Sequence, residues 1–435
     1  MSINIGLISL GCAKNQVDSE QILGMFNDSG FKIVNSVNEA DVLIINTCGF
    51  IDSSKEESID TIIEMSKYGK KLVVVGCLVE RYLEDLKNEL PEVDLFVPIR
   101  EYHMLKDKIN GLFENKKIEY DFSYRHRLTI TPSFTAYLKI SDGCNNRCTY
   151  CAIPLIRGAF KSRPLEELIE EAKMLKDRGI KELVVISQDT TRYGSDLFEK
   201  KTIVDLLKEL LKIEEFDYIR LLYLYPDEIT DELLHLINAE PRLTPYFDLP
   251  IQHASSNILH SMNRRGNKEF LLDLINNRIR KIVPNAILRT TIIVGFPGET
   301  ESDFDELMEF VKEVKFDHLG AFIYSREEGT ASYDFDNQID EEIKVNRYNR
   351  LMKVQRVISY NNNKKHIGEI MEGLVVGQSK DGTYLLRSGW NAPDNIDGNI
   401  YFKSSKALEL GQKVKVKVCA CYGYDLDAIL IDEAE

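Results

Sequence analysis

Short apolar runs alternate with amphipathic stretches over the first 118 residues. The apolar runs are rich in Val, Ile and Leu, as are parallel strands that are buried on both faces of a sheet. The predicted strands are Ile3–Leu10, Asp41–Asn46 and Lys71–Val75, and the predicted helices are Ser19–Ser29 and Glu56–Lys67. Because strands and helices alternate, we predict an open parallel α/β domain over residues 1–118.

The alternation stops in a charged stretch, residues 119–133, which is predicted to be a linker, and resumes beyond it. Six strands alternating with helices between residues 134 and 337 predict a partial (β/α)6 barrel, whose functional face is the carboxyl end of its strands. The predicted strands are Phe134–Ile140, Glu182–Ser187, Ile219–Tyr223, Tyr246–Leu249, Ala286–Val294 and His318–Ile323. The predicted helices are Leu165–Arg178, Lys201–Lys212, Ile229–Ile237, Lys268–Ile282 and Glu301–Val314.

The pattern changes again towards the C-terminus. Helical spacing over Gln338–Lys365 predicts a connecting helix within residues 338–366. From residue 367 to 435, short alternating strands separated by Gly, Asp and Asn predict a small antiparallel β-barrel. Its predicted strands are Met371–Val376, Thr383–Arg387, Gly398–Phe402 and Lys413–Ala420. Cys419 and Cys421 are two residues apart and are predicted to share one strand face, as core or incidental thiols.

Composition narrows the class of protein. The 435 residues carry a formal net charge of −15, which disfavours nonspecific association with nucleic acid and favours a basic partner. No apolar run approaches the ~20 residues of a membrane span, and the N-terminus lacks the features of a signal peptide. We therefore expect a cytoplasmic protein without membrane contact. In that reducing compartment the eight cysteines are expected to be metal ligands or free thiols.

The densest candidate chemistry is the C-x3-C-x2-C run formed by Cys144, Cys148 and Cys151. Three thiolates on one loop after a strand can converge on a soft metal centre. A structural zinc site needs four ligands, and no histidine or fourth cysteine lies nearby in sequence. The spacing therefore favours an iron–sulfur cluster with one open coordination position over a zinc knuckle or a set of buried thiols.

A second set of cysteines is dispersed through the N-terminal domain. Cys12, Cys48 and Cys77 follow the first, second and third predicted strands, at separations of 36 and 29 residues. Because ligands bind at the carboxyl ends of parallel strands, these thiols can meet in space. Each has a glycine beside it, which allows close approach of the backbone to a bulky cofactor. A single cysteine of this kind is usually a buried structural thiol, but three in equivalent positions indicate a site.

These motifs resemble those of a known family. The C-x3-C-x2-C run, with Tyr150 before its last cysteine, is similar to the cluster motif of radical S-adenosylmethionine (SAM) enzymes. The segment G-C-x-K-N-x-x-D-S-E around Cys12, together with QDTTRYG, LYLYP and TTIIVGFPGETESDF, resembles the radical SAM methylthiotransferases over essentially the whole chain. The resemblance implies two [4Fe–4S] clusters and SAM as cofactors. It implies that Cys144, Cys148 and Cys151 bind the SAM-cleaving cluster, and that Cys12, Cys48 and Cys77 bind an auxiliary cluster that carries sulfur.

Polar residues at the predicted strand ends are the candidates for SAM binding, and no catalytic side chain is predicted beyond the cluster ligands. The candidates are Tyr150, Arg157, Gln188, Asp189, Gln252, His253, Gly295 and Glu299. Three of them have competing structural interpretations: Arg157 as an ordinary exposed arginine, His253 as a structural histidine, and Glu299 as part of a turn.

The resemblance also implies a substrate. QDTTRYG and LYLYP are similar to the branch of the family that modifies an aspartate β-carbon in the twelfth protein of the small ribosomal subunit. The C-terminal module resembles a TRAM domain, and residues 365–435 contain eight Lys/Arg against eleven Asp/Glu, which favours a basic protein over tRNA. A flavodoxin-like or ferredoxin-like electron donor is expected. The alternatives are the same reaction on tRNA adenosine, a non-catalytic iron–sulfur electron carrier and a zinc-dependent interaction protein.

Overall fold

A computed structural model of the chain describes residues 3–113, 116–198 and 201–431. The first two residues of the predicted N-terminal domain and the last four of the predicted C-terminal barrel lie outside the described residues. The N-terminal part is a five-stranded parallel sheet in the order β2-β1-β3-β4-β5. Its strands are β1 (Asn4–Ser9), β2 (Lys32–Ile33), β3 (Val42–Thr47), β4 (Lys71–Gly76) and β5 (Leu95–Pro98). Its helices are α1 (Ala13–Asp28), α2 (Asp52–Ser66), α3 (Cys77–Glu89) and α4 (Leu105–Asn110). The predicted open α/β architecture is confirmed.

Helix α1 differs most from its prediction, because it begins six residues before Ser19. Thirteen of its sixteen residues are buried, including the polar Asn15, Asp18 and Glu20. A helix enclosed on most of its surface has no solvent-facing polar stripe, so its first turns lack the amphipathic pattern on which the prediction depended. Strands β2 and β5 and helices α3 and α4 were not predicted.

The central part contains the six predicted strands, arranged as two three-stranded parallel sheets with orders β10-β9-β6 and β11-β12-β13. The strands are β6 (Thr135–Lys139), β9 (Glu182–Ile186), β10 (Tyr218–Leu221), β11 (Tyr246–Asp248), β12 (Ile287–Val294) and β13 (His318–Ile323). A short antiparallel pair, β7 (Ser141–Asp142) and β8 (Lys161–Ser162), brackets the segment that contains Cys144, Cys148 and Cys151.

Helices alternate with the central strands as predicted, and one predicted helix is irregular. They are α5 (Ile153–Arg157), α6 (Leu165–Asp177), α7 (Ile203–Leu210), α8 (Asp231–Ala239), α9 (Ser256–Ser261), α10 (Lys268–Leu272), α11 (Arg280–Ile282) and α12 (Glu301–Val314). Helices α5 and α9 were not predicted. A π-helical segment, Asp273–Ile279, joins α10 to α11, so the predicted helix Lys268–Ile282 is not a single α-helix. In described residues, no helix is both long and apolar enough to cross a bilayer.

Helix α13 (Glu341–Asn363) leads into a closed five-stranded barrel with the order β14-β15-β16-β18-β17. Its strands are β14 (Ile370–Gln378), β15 (Tyr384–Ser388), β16 (Ile400–Lys403), β17 (Lys413–Tyr422) and β18 (Asp425–Leu430). The pair β16–β18 is parallel, so the barrel is not antiparallel throughout, and β18 was not predicted. An irregularity in β17 after Val418 leaves Cys419 exposed and Cys421 buried, so the prediction that they share one face was wrong.

The C-terminal barrel closes one side of the central barrel through buried polar contacts. The Arg220 guanidinium donates to the carbonyl oxygen of Ser388 at 2.6 Å, and the Tyr246 hydroxyl donates to Asp397 at 2.6 Å. Helix α1 of the N-terminal part contributes Ala13 to a buried cluster of apolar side chains that also contains residues of the central barrel and of the C-terminal barrel. The core of the central barrel is therefore enclosed by both flanking parts of the chain.

Candidate functional site

The dispersed cysteines follow three neighbouring strands. Cys12 directly precedes α1, Cys48 comes one residue after β3, and Cys77 is the first residue of α3. Because β1, β3 and β4 are adjacent in the sheet, their carboxyl ends bring the three loops together. A Cβ atom added at Gly11 would lie 2.9 Å from Cβ of Cys48, so the first two loops are as close as a glycine permits.

Asn15 links the three loops of this trio. Its Nδ2 donates to the carbonyl oxygen of Leu10 at 3.1 Å and to that of Thr47 at 2.9 Å. The thiol of Cys77 donates to Asn15 Oδ1 at 3.3 Å. Leu10, two residues before Cys12, Thr47, directly before Cys48, and Cys77 itself are therefore all bonded to one buried amide.

Arg157 joins this trio to the central barrel. Its Nη1 lies 2.7 Å from Asp18 Oδ2, and its Nη2 donates to Asn15 at 2.6 Å and lies 3.8 Å from Sγ of Cys77. Burial raises the pKa of the Cys77 thiol to about 12, with Arg157 opposing the rise and the nearby Cys12 adding to it. The Arg157 side chain is only 3% exposed, so its interpretation as an ordinary exposed arginine was wrong. Its predicted contact with SAM stays a prediction.

The second trio lies on the loop between β7 and α5. The base of this loop is closed by a 3.1 Å hydrogen bond from the backbone N–H of Cys144 to the carbonyl oxygen of Gly158. Within it, the backbone N–H of Cys151 donates to the carbonyl oxygen of Cys148 at 3.0 Å. Burial raises the pKa of Cys151, and the neighbouring Cys148 adds to that rise. A local turn therefore gathers these three thiols.

Two side chains from the barrel rim approach Cys148. The Tyr225 hydroxyl lies 3.7 Å from its Sγ and Nη1 of Arg264 lies 3.9 Å from it. The Arg264 guanidinium lies 3.9 Å from the centroid of the Tyr225 ring, so the two side chains support each other. A cation beside a thiolate stabilises its charge, which suits a metal ligand.

The two trios are neighbours in space. Cys77 packs with Ala152 and Ile156 in one buried cluster, and Ala152 comes immediately after Cys151 in the chain. In the described residues, no three His, Cys, Asp or Glu side chains converge closely enough to hold a single metal ion. A single zinc ion would require thiolates about 4 Å apart. Binding of an iron–sulfur cluster by each trio stays a prediction.

Three SAM-binding candidates lie on or beside the loop of the second trio. The Asp189 carboxylate accepts a 2.8 Å hydrogen bond from Nδ2 of Asn146, and burial raises its pKa. Gln188 Nε2 donates to Asp142 at 3.0 Å, while its Oε1 is buried without a partner among the described residues. The Tyr150 ring packs edge-on to Phe296. These positions are compatible with cofactor binding beside the cluster, which stays a prediction.

The remaining candidates belong to a second group around one buried carboxylate. Glu299 accepts hydrogen bonds from the backbone N–H of Gly295 at 2.8 Å and from Nη1 of Arg347 at 2.9 Å. His253 Nδ1 accepts a hydrogen bond from the backbone N–H of Ser255. Its Nε2 lies 3.7 Å from the Glu299 carboxylate without a hydrogen-bond partner among the described residues, and burial lowers its pKa to about 3. Gln252 has a positive φ of 72° at the end of the strand region. The structure shows internal bonds here, and the predicted contacts of these residues with SAM stay predictions.

Several residues at the site were missed by sequence reasoning. Lys14 lies beside Cys12 and over Tyr223, and Arg264 lies beside Cys148. Lys139 forms an ion pair with Asp18 of α1. Proximity to a cysteine in the G-C-x-K-N segment was an available signal for Lys14, but the 116 residues between Arg264 and Cys148 gave none.

Family models match three stretches of the chain. Residues 4–98 match a model described as uncharacterized protein family UPF0004. Residues 138–311 match the radical SAM superfamily, and residues 367–431 match the TRAM domain. The first two matches contain the dispersed and the local cysteine trio respectively.

Similar full-length proteins share one name. A protein of Clostridioides difficile named ribosomal protein uS12 methylthiotransferase RimO is 49% identical over 98% of this chain and 98% of its own length. A protein of Caldicellulosiruptor saccharolyticus with the same name is 45% identical over 98% of this chain and 99% of its own.

A solved structure has a related fold. The radical SAM methyltransferase TsrM from Kitasatospora setae, with tryptophan and a SAM analogue bound, has a TM-score of 0.55 and 13% identity, and covers 93% of this chain and 81% of its own. At this identity the likeness concerns the fold alone.

Proposed function

This chain belongs to the family of ribosomal protein uS12 methylthiotransferases called RimO, and from that membership we propose that it adds a methylthio group to the β-carbon of an aspartate in ribosomal protein uS12. The observation that carries the proposal is the juxtaposition of two cysteine trios. Cys77 of one trio packs against Ala152, next to Cys151 of the other. Sulfur insertion needs a radical generator and a sulfur donor at one carbon, so two neighbouring cluster sites suit this reaction.

The cofactors are SAM and two [4Fe–4S] clusters. The donor sets fit, since each trio supplies three thiols and leaves one iron of a cubic cluster free of protein ligands. We propose Cys144, Cys148 and Cys151 as ligands of the SAM-binding cluster, and Cys12, Cys48 and Cys77 as ligands of the auxiliary cluster. When bound, these groups supply the 5′-deoxyadenosyl radical, the sulfur and the methyl group.

The need for a radical follows from the substrate. A C–H bond beside a carboxylate is far too weak an acid for a side-chain base of ordinary pKa. The protein's own contribution is to hold the parts together and exclude water. Arg157 does so by joining Asp18 of the N-terminal sheet region to Asp142 beside the second trio. Glu327, which is 2% exposed, adds a second link through a 2.8 Å ion pair with Arg81.

The division of the chain follows from this arrangement. We propose that residues 1–118 supply the auxiliary cluster, that residues 119–133 link it to a radical SAM core at 134–337, and that residues 338–366 lead to a substrate-binding barrel at 367–435. The C-terminal barrel carries a surface groove of about 570 Å³ whose charged lining residues are two carboxylates, Asp381 and Asp427, and one ammonium, Lys403. Carboxylates there favour a basic protein such as uS12 over tRNA. A cytoplasmic location and a flavodoxin-like or ferredoxin-like reductant complete the proposal.

The test is an anaerobic incubation of the reconstituted enzyme with SAM, a reductant and either uS12 or tRNA. We expect mass spectrometry to find a methylthio group on an aspartate of uS12 and none on tRNA. Modification of tRNA adenosine without modification of uS12 would overturn the substrate assignment. Reduced protein that leaves SAM intact would instead indicate an electron carrier, and zinc in place of iron would indicate an interaction protein.

A further inference from the structure

Lys14 is a buried basic side chain with no carboxylate in ion-pair distance among the described residues. It is the second residue of α1, two positions after Cys12, and its residue surface is 7% exposed. Its Nζ lies 3.0 Å from the centroid of the Tyr223 ring. Among the residues that the structure describes, no carboxylate lies within 4.0 Å of this ammonium and no acceptor hydrogen-bonds to it. Burying a charge without a pairing anion is costly, so a position of this kind points to a ligand.

Two carboxylates where α1 meets the barrel, Asp18 and Asp142, are already matched by other cations. Lys139 lies 2.5 Å from Asp18 and 3.0 Å from Asp142, and Arg157 lies 2.7 and 3.2 Å from the same two carboxylates. Three cations therefore face two carboxylates where α1 meets the barrel. Lys14 is the one that pairs with neither carboxylate.

The support beneath Lys14 is built with strain. Tyr223 has a φ of 61°, in the left-handed region that a non-glycine residue adopts only with backbone strain. Its backbone N–H donates to Asp248 at 2.9 Å, and Asp248 is paired with Arg289 at 2.7 Å. These bonds hold the ring under the ammonium, at the carboxyl end of β10, where barrel ligands bind. Asp248 is therefore engaged and is not the missing partner.

We propose that Lys14 binds the side-chain carboxylate of the target aspartate. The assignment rests on the proposed function, because it takes the substrate to be an aspartate modified at its β-carbon. That carbon is one bond from the carboxylate, so a group that holds the carboxylate also fixes the reacting carbon. Lys14 comes two positions after Cys12 of the N-terminal trio and packs over Tyr223 at the barrel rim, which is where this carbon must lie to meet both cofactors. A charge-assisted hydrogen bond to an ammonium would distinguish aspartate from asparagine.

The test measures binding of the reconstituted holoenzyme to full-length uS12 and to a uS12 variant with asparagine at the target position. We expect wild type to bind the aspartate form about 10- to 100-fold more tightly, as for a buried charge pair. Lys14→Met and Lys14→Gln should reduce this preference to within about threefold, and Lys14→Arg should retain most of it. Lys364→Met is the matched control: its ammonium lies 4.7 Å from the Tyr360 ring on an exposed segment, and the preference should stay as in wild type.

Iron content and the EPR signals of both clusters are measured first for every variant, as a readout that does not depend on activity. If both uncharged variants retain the wild-type preference for aspartate, the assignment is overturned. It is also overturned if they change the auxiliary cluster's EPR signal while the preference stays intact, since Lys14 would then serve the cluster. If wild type modifies tRNA and not uS12, the proposed function fails and takes this assignment with it. If wild type modifies uS12 but the preference does not depend on Lys14, only the assignment fails.

Discussion

The two cysteine trios reach similar arrangements by different routes. Cys144, Cys148 and Cys151 lie within eight residues on one loop, so a local turn is enough to gather them. Cys12, Cys48 and Cys77 are gathered only when three strands of a parallel sheet are in register. The local trio is therefore expected to survive disturbances that the dispersed trio does not, because its loop-closure cost is small.

The largest expected effect comes from removing one ligand of each trio. Cys148→Ala should abolish SAM cleavage and with it all methylthiolation. Cys77→Ala should abolish methylthiolation while SAM is still cleaved, because the proposed radical-generating site is intact. Chromatography of 5′-deoxyadenosine and iron counting would check both, and each variant should lose the iron of one cluster. Loss of SAM cleavage in Cys77→Ala would contradict the independence of the two sites.

The next effect in size should distinguish the two trios by weakening the core of the N-terminal sheet. Ile44 in β3 is fully buried, and Ile44→Ala should lower the free energy of unfolding by about 2–5 kcal/mol. In rising urea the dispersed trio should then lose iron at lower concentration than in wild type, while the local trio is unchanged. Leu374→Ala in the C-terminal barrel, at a residue 1% exposed, is the control. It should cost similar stability and leave iron at both sites unaffected.

A smaller effect is expected from the amide that joins the dispersed loops. Asn15→Ala removes a 2.9 Å hydrogen bond to the Thr47 carbonyl and leaves that buried acceptor without its donor, at a cost of about 1–3 kcal/mol. Iron binding at the dispersed trio should weaken by about 10- to 100-fold, as for other supports of metal ligands. Asn27→Ala, at an exposed position of the same helix, should bind iron like wild type. Equal iron loss in both variants would show a general effect on α1.

The smallest effect tests how closely the loops approach. Gly11→Ala places a side chain at a φ of 86°, at a backbone cost of about 1–2 kcal/mol, and its Cβ would lie 2.9 Å from Cβ of Cys48. Gly179→Ala has a similar φ of 87° but no atom within 4 Å of the added Cβ. Both should lose similar backbone stability in thermal unfolding, and only Gly11→Ala should also lose iron at the dispersed trio. Equal iron content in the two variants would contradict the close approach.

Much of the fold was predictable because its determinants are local. The six central strands appear within a few residues of their predictions, since each is a short apolar run between polar loops. Helix α1 and strand β18 were harder to predict. Helix α1 is buried on most sides and strand β18 pairs with a distant strand, so neither has a clear periodic pattern of apolar residues. The irregularity after Val418 in β17 made the prediction for Cys419 wrong for a different reason: a single extra residue changes which face of the strand a side chain occupies.

By itself the sequence determined which residue types are available for chemistry. For Cys144, Cys148 and Cys151 it also determined that the three thiols lie near one another, because the chain between them is too short to separate them. Tertiary structure alone decided that Arg157 turns towards Asp18 and Cys77, and that Lys14 lies over Tyr223 without a carboxylate partner among the described residues. Those contacts join residues 80, 139 and 209 positions apart. Their geometry depends on how a sheet docks on a barrel, and no local pattern of apolar and polar residues encodes that docking.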